Sequence, residues 1–284
     1  MTRPGRKSSP ADGTADRTPR PAPRSARIAA LAALGLASPA FAAEPFASEW
    51  AASPKSQARL IAADGHLAGF EIKLAPGAIT YWRDPGDSGA PPIFDFGGSD
   101  NVAKVEVVFP APKRMAEADG SEAFGYSGGV VFPLRIEPRD PEKPVTLSVS
   151  ANYAVCEKIC LPAQAHLTLS LANSAASPHA DHVAEALAAA PRAVEPEALG
   201  KLTSHGGEGW RLCVPAQSGP ARDLFVEPPA GWWIAASADP EQKDCFKLTL
   251  REKPKDGSFP VALRLTLTGG AGPVETKVEA AEPQ

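Results

Sequence analysis

The chain of 284 residues carries 29 basic and 33 acidic side chains, a net charge of −4, and seven of the basic ones crowd into the first 27 residues. Without residues 1–43 the balance is 22 basic to 31 acidic, a net of −9, which argues against nucleic acid and anionic membrane surfaces as partners. Four cysteines are too few to scaffold so long a chain, while 31 prolines and 24 glycines between short alternating runs point to an all-β protein.

In chain order, Arg3, Arg6, Lys7, Arg17, Arg20, Arg24 and Arg27 precede an uncharged run, Ile28 to Ala37, and then Ser38-Pro39-Ala40-Phe41-Ala42. That is the pattern of a signal peptide cleaved after Ala42, so residues 1–43 read as a signal peptide and basic leader. The apolar run is shorter than the roughly 20 residues that span a bilayer, and no later segment approaches that length. The expectation is a soluble, exported protein without membrane insertion of the mature chain. Export also places the cysteines where disulfides form and persist.

Strand signals follow at short intervals: 58–62, 67–74, 79–82, 93–96, 102–109, 130–136, 145–153 and 166–171. Leu147, Val149, Ala151 and Tyr153 alternate with polar or small residues, the period of a half-buried strand. Turn signals such as Asp64-Gly65, Pro76-Gly77 and Gly128-Gly129 separate the runs. The Ala-rich stretch 173–196 predicts a linker with a short helix, started at Ser177-Pro178, carrying Val183 and Leu187 on one face and ended by Pro191. Further strand signals follow over 210–214, 223–227, 232–235, 245–251, 261–268 and 274–278. The expected organisation is a β-sandwich over 44–172, the linker over 173–196 and a second, smaller β domain over 197–284.

Cys156 and Cys160 are the residues here that can do chemistry. In an extended strand, residues four apart lie about 13 Å from each other. A disulfide needs Cα atoms closer than about 7 Å, so bonding requires a sharp turn between the two. The residues leave three chemistries open. A redox pair needs an accessible thiolate and a bridge that reopens. A staple closing so short a ring would constrain little unfolded-chain entropy. A soft-metal clamp would use both thiolates with His166. Lys158 favours a thiolate and Glu157 opposes it.

The segment 80–171 also carries a series of ordered motifs. These are Trp82-Arg83-Asp84-Pro85-Gly86-Asp87-Ser88-Gly89 with Pro91-Pro92, Asn101, and Phe109-Pro110-Ala111-Pro112. Phe124-Gly125-Tyr126, Val131-Phe132-Pro133-Leu134, Tyr153-Ala154-Val155-Cys156 and Cys160-Leu161-Pro162 continue them. This set resembles the N-terminal periplasmic domain of the thiol:disulfide interchange protein DsbD, in the branch found in the copper-tolerance protein ScsB. The three residues between the cysteines fit that branch, whereas DsbD itself has five. The resemblance implies an immunoglobulin-like sandwich with Cys156 and Cys160 as the redox pair. It also implies a cap loop over the cysteines, falling at Ser121 to Tyr126, with Phe124 as its lid and Glu122 and Tyr126 beside it. The family's membrane domain and thioredoxin-like domain have no counterpart in this sequence, so a separate membrane-embedded thiol carrier is the expected electron source.

Two hydrolase-like motifs carry less. Gly86-Asp87-Ser88-Gly89 has only His66 upstream in the mature chain, and Gly125-Tyr126-Ser127-Gly128-Gly129 is followed by a strand where a nucleophile elbow needs a helix. Cys213 and Cys245, on separate strand signals 32 positions apart, read as a structural inter-strand disulfide, with free thiols or a second redox pair as the alternatives. Trp210, Trp232 and Trp233 read as core, and His179 and His182 as solvated.

The sequence thus leads to a periplasmic protein-disulfide reductase-like exchanger working through Cys156 and Cys160. Its expected partners are the membrane thiol carrier and thioredoxin-fold periplasmic proteins, and it needs no cofactor or metal. The alternative is a periplasmic binding or adaptor module, copper-related, whose cysteines bridge or bind metal.

Overall fold

The computed structural model describes residues 46–116, 121–171, 177–216 and 221–284. The leader and cleavage site lie outside these residues, as do positions 173–176 of the expected linker. The elements run β1 (Ala51–Ser53), β2 (Ser56–Ala62), β3 (Leu67–Leu74), β4 (Ile79–Gly86), β5 (Ile93–Asp95), β6 (Val102–Val107), β7 (Lys113–Ala116), β8 (Glu122–Ser127), β9 (Gly129–Pro138), β10 (Val145–Cys156) and β11 (Cys160–Leu171). After them come α1 (Ala180–Ala188), β12 (Arg192–Ala193), α2 (Pro196–Leu199), β13 (Lys201–Ser204), β14 (Gly209–Cys213), β15 (Asp223–Glu227), β16 (Trp233–Ala238), β17 (Cys245–Glu252), β18 (Val261–Thr268) and β19 (Val274–Ala280).

Strand alternation dictates how these elements pair into layers. One sheet has the order β1-β2-β3-β9-β6, and a second has β11-β10-β4-β8-β7 with β5 also on β10. Ala58 and Leu60 of β2, Phe70 and Ile72 of β3 and Phe132 and Leu134 of β9 meet the odd-numbered residues of β10 in one buried core. Two further sheets, β12-β19-β18-β15 and β13-β14-β17-β16, enclose a second core around Trp210, Leu224, Leu248 and Leu265. The protein is all-β, with immunoglobulin-like sandwich architecture. None of its described helices is long and apolar enough to cross a membrane.

The expected helix is present as α1, and it packs: Val183 is fully buried against Ile61 and Val131. Ser177 accepts the His179 amide and donates to the Ala62 carbonyl, tying the helix start to β2. Asn101 sits at positive φ, and its side chain hydrogen-bonds the backbone of Asp140, Lys143 and Pro144, which closes the turn before β10.

The two cores meet along β4, β7, β8 and β15. Phe225 of β15 is 1% exposed and packs edge-on against Trp82 and Phe124 of the first sandwich. Arg114 grips Asp223 with two nitrogens, at 2.9 and 3.0 Å, and lies over the Phe124 ring. Arg83 pairs in the same way with Glu227 and also reaches Glu275 at 2.6 Å. Burial works against both guanidinium charges, yet the facing carboxylates raise their pKa values above the ordinary one. Removing the Phe225 ring should therefore cost about 3–4 kcal/mol. Urea unfolding of Phe225→Ala measures this, and a cost under about 1 kcal/mol would show that the ring does not hold the cores together.

Candidate functional site

The β10–β11 hairpin pairs twelve residues of each strand, from Val145↔Leu171 to Cys156↔Cys160. The ladder itself thus supplies the sharp turn that the spacing requires, through Glu157-Lys158-Ile159. Because side chains alternate, the odd residues from Val145 to Val155 fill the core. Cys156 therefore faces the outer side of its sheet. The two sulfurs are bonded, with Cα atoms 4.1 Å apart.

On that outer side a small cluster forms from Cys156, Tyr81 and Ala123, with Ile79, Met115 and Ala154 packed on it. Tyr81 donates its hydroxyl hydrogen to Cys156 Sγ at 2.7 Å and lies 3.4 Å from Cys160 Sγ. Two glycines make room for this ring. Gly125 stands opposite Tyr81 in the β4–β8 ladder, so no side chain competes for the space. Gly89, at φ +100°, lies so close that a β-carbon there would collide with the Tyr81 ring. The Asp87-Ser88-Gly89 turn thus roofs the tyrosine, which is 1% exposed.

The sulfurs differ in access. Cys156 is 3% exposed, whereas Cys160 is exposed at the hairpin end beside Ile159, itself 70% exposed. The turn is tethered by an ion pair of 2.9 Å between Glu157 and Lys55. Its hydrogen bond and charge hold the Glu157 carboxyl below the usual carboxylate range. The Glu157 charge is thereby paired with Lys55 of the neighbouring turn.

The segment expected as a cap loop is strand β8, paired with β4 and β7. Ala123 and Gly125 face the tyrosine, so Phe124 and Tyr126 point to the opposite face. Phe124 packs on Phe225, and Tyr126 donates to the Pro110 carbonyl. Burial pushes the Tyr126 hydroxyl well above its ordinary pKa. Glu122 pairs with Arg114 at the rim of a cleft of about 970 Å³, lined also by Asp84, Asp87, Trp232, Trp233 and Arg251. Burial, more than the opposing Gly86 amide, raises the Asp84 carboxyl.

His166 hydrogen-bonds Ser150 and sits six residues along β11 from Cys160, about 20 Å away. Among the described residues no cluster of three or more metal-ligating side chains occurs. Cys213 and Cys245 are bonded, as a directly opposed pair on β14 and β17. Sequence reasoning missed Tyr81, Ala123 and Met115. Tyr81 stands in the run Ile79-Thr80-Tyr81-Trp82 with nothing to set it apart until the register of β4 against β8 and β10 is known.

Comparison with known proteins adds to this geometry. No curated protein gives a significant match. The N-terminal periplasmic domain of ScsB from Proteus mirabilis superposes with a TM-score of 0.66 at 20% identity, covering 84% of this chain and all of that one. At that identity the likeness speaks for the fold. The endo-fucoidan hydrolase MfFcnA4, of glycoside hydrolase family 107, aligns at 12% identity over 73% of this chain and 29% of that one, and its TM-score of 0.17 carries no argument. Residues 47–172 match the family model described as thiol:disulfide interchange protein DsbD, N-terminal, and this segment, which holds the hairpin, Tyr81 and both sulfurs, is a DsbD N-terminal-like domain.

Proposed function

We propose that this is a periplasmic thiol:disulfide exchange protein that relays electrons through Cys156 and Cys160. The source would be a membrane-embedded thiol carrier and the recipients thioredoxin-fold periplasmic proteins. The observation that carries the reading is the asymmetry of the pair: one exposed cysteine, one buried cysteine, and a buried hydroxyl on the sulfur of the buried one. The family description of residues 47–172 supports the same chemistry.

The asymmetry gives each sulfur a role. A carrier thiolate attacks Cys160 Sγ, the accessible atom, forming a mixed disulfide. The Cys156–Cys160 bond breaks and its electron pair stays on Cys156 Sγ, where the Tyr81 hydroxyl stabilises the leaving thiolate. The carrier's second thiolate then displaces Cys160, so the carrier is oxidised and the pair holds two electrons. In the second half, Cys160 attacks the recipient's disulfide and Cys156 resolves the complex. The bridge re-forms and the recipient leaves as a dithiol. Ile159 offers an apolar contact where both proteins must dock.

Cys156→Ser should leave Cys160 able to trap thioredoxin-fold proteins covalently, at least about ten times more than Cys160→Ser does, on non-reducing gels of periplasmic extracts. Equal trapping, or a wild-type pair that glutathione buffers cannot open, would sink the exchange reading. A hydrogen bond to a thiolate contributes about 1.5–3 kcal/mol, and roughly 0.4–0.5 of it is felt in the exchange transition state. Tyr81→Phe is therefore expected to slow mixed-disulfide formation about 3–10-fold with the fold intact, as stopped-flow quenching would report; an unchanged rate would remove the tyrosine from the mechanism. Ile159→Asp should slow exchange with protein partners while leaving the rate with glutathione unaltered. Equal slowing of both would mean that the residue shapes the turn and not the docking.

A further inference from the structure

We infer that Cys213–Cys245 is a second thiol:disulfide exchange site, attacked at Cys213. The two bridges are built alike. Each joins residues directly opposed in an antiparallel ladder, and each is the last pair of that ladder. Each has one exposed sulfur and one buried: Cys213 is exposed, while Cys245 is 7% exposed. Each has one polar group near both sulfurs. At the second bridge this is the Gln242 side chain, whose Oε1 lies 3.7 Å from Cys213 Sγ and 3.5 Å from Cys245 Sγ. With the pair reduced, thiol hydrogens can be donated to this oxygen, and the amide NH₂ of the same side chain can donate to a thiolate.

Charge favours Cys213 as the nucleophile. Lys201 of β13 stands directly opposite it in the β13–β14 ladder, so the two side chains share a face. An exposed cysteine beside an ammonium group is the environment of reactive thiols.

Reversible exchange also needs both oxidation states to stay folded. Four further residue pairs, from Gly209↔Thr249 to Leu212↔Phe246, hold β14 to β17 without the bridge. The turn that presents Cys245 is fixed independently. Val214 donates to the Asp244 carbonyl at 2.9 Å, Cys245 to the Gln242 carbonyl at 3.2 Å, and Arg222 pairs with Asp244. With the bridge open, these pairs and bonds still hold the two strands and the turn that carry the sulfurs.

In the reaction, a thiolate of an external protein dithiol attacks Cys213 Sγ and the electron pair of the broken bond passes to Cys245 Sγ. The dithiol's second sulfur then releases Cys213, and the external protein departs as a disulfide. This site does not depend on the first pair, so it is tested in the full chain bearing Cys156→Ser and Cys160→Ser. Equilibration with glutathione redox buffers, followed by alkylation and mass spectrometry, should take the bridge through half-reduction while far-UV circular dichroism holds. In that background, Cys245→Ser should react with glutathione disulfide at Cys213 at least ten times faster than Cys213→Ser reacts at Cys245. A Lys201→Gln exchange should slow the Cys213 reaction several-fold at neutral pH. A bridge that stays closed in every glutathione buffer, that opens only with loss of the dichroism signal, or whose two sulfurs react equally overturns the inference.

Discussion

The register of the β10–β11 ladder is the constraint on which the first site depends. Side chains along a strand alternate with a period of two, so a slip of one residue would exchange the core and solvent faces of the hairpin. Six buried side chains of β10, from Val145 to Val155, oppose the inward residues of β11 from Leu161 to Leu171, and a slip would expose most of them. Each large aliphatic residue moved to water costs about 1.5–3 kcal/mol, so the alternatives are far above the native register. With the register held, Cys156 must face outward and Cys160 must stand opposite it. The same hydrophobic pattern that builds the core therefore places the sulfurs.

What surrounds the sulfurs follows from a shortage of side chains on the neighbouring strand. Ala123 and Gly125 present almost nothing on the outer face of β8, which leaves a slot for one large ring. Tyr81 fills it and carries a polar tip to Cys156, since a buried tyrosine hydroxyl must find a partner. The roof over the ring comes from the Asp87-Ser88-Gly89 turn, not from an aromatic residue of β8. Water is thus kept from the buried sulfur by a ring whose hydroxyl is hydrogen-bonded to it.

How much of this is legible in the sequence depends on which signals are local. The strands over Leu67–Leu74, Asp223–Glu227 and Val261–Thr268 can be read to the residue, because apolar alternation or a continuous apolar run ends there at turn residues. The cysteine pair is conspicuous, and the ordered motifs around it carry the resemblance to the domain that the family model matches over residues 47–172. Strand β8 is not legible: its alternation sets Phe124 and Tyr126 against Ala123 and Gly125, and small residues read as loop. Here the glycine marks close backbone approach, since a β-carbon at Gly125 would collide with the Thr80 carbonyl oxygen. The short strands β1, β12 and β13 have too few residues to show a period. Tyr81 is invisible for another reason. Its role exists only across the β4–β10 pairing, 75 positions apart in the chain.

The two bridges differ in the one respect that ring size controls. A bridge stabilises a fold mainly by restricting the unfolded chain, and the stabilisation grows with the loop it closes. Whatever a bridge adds to folding is also added to the free energy needed to reduce it in the native state. Cys156–Cys160 spans a sequence separation of 4 and Cys213–Cys245 one of 32. In the chain-entropy relation these loops correspond to about 1.9 and about 3.7 kcal/mol, a difference of nearly 2 kcal/mol. For a two-electron couple that is about 40 mV, with the second bridge the harder to reduce. Electrons reaching the molecule would accordingly collect on Cys156–Cys160, while the thiols at Cys213 and Cys245, once formed, would be the stronger reductant. The tight hairpin owes its place in the fold to its twelve-pair ladder and little to its own bridge, and the Tyr81 hydroxyl adds a separate contact to the buried sulfur.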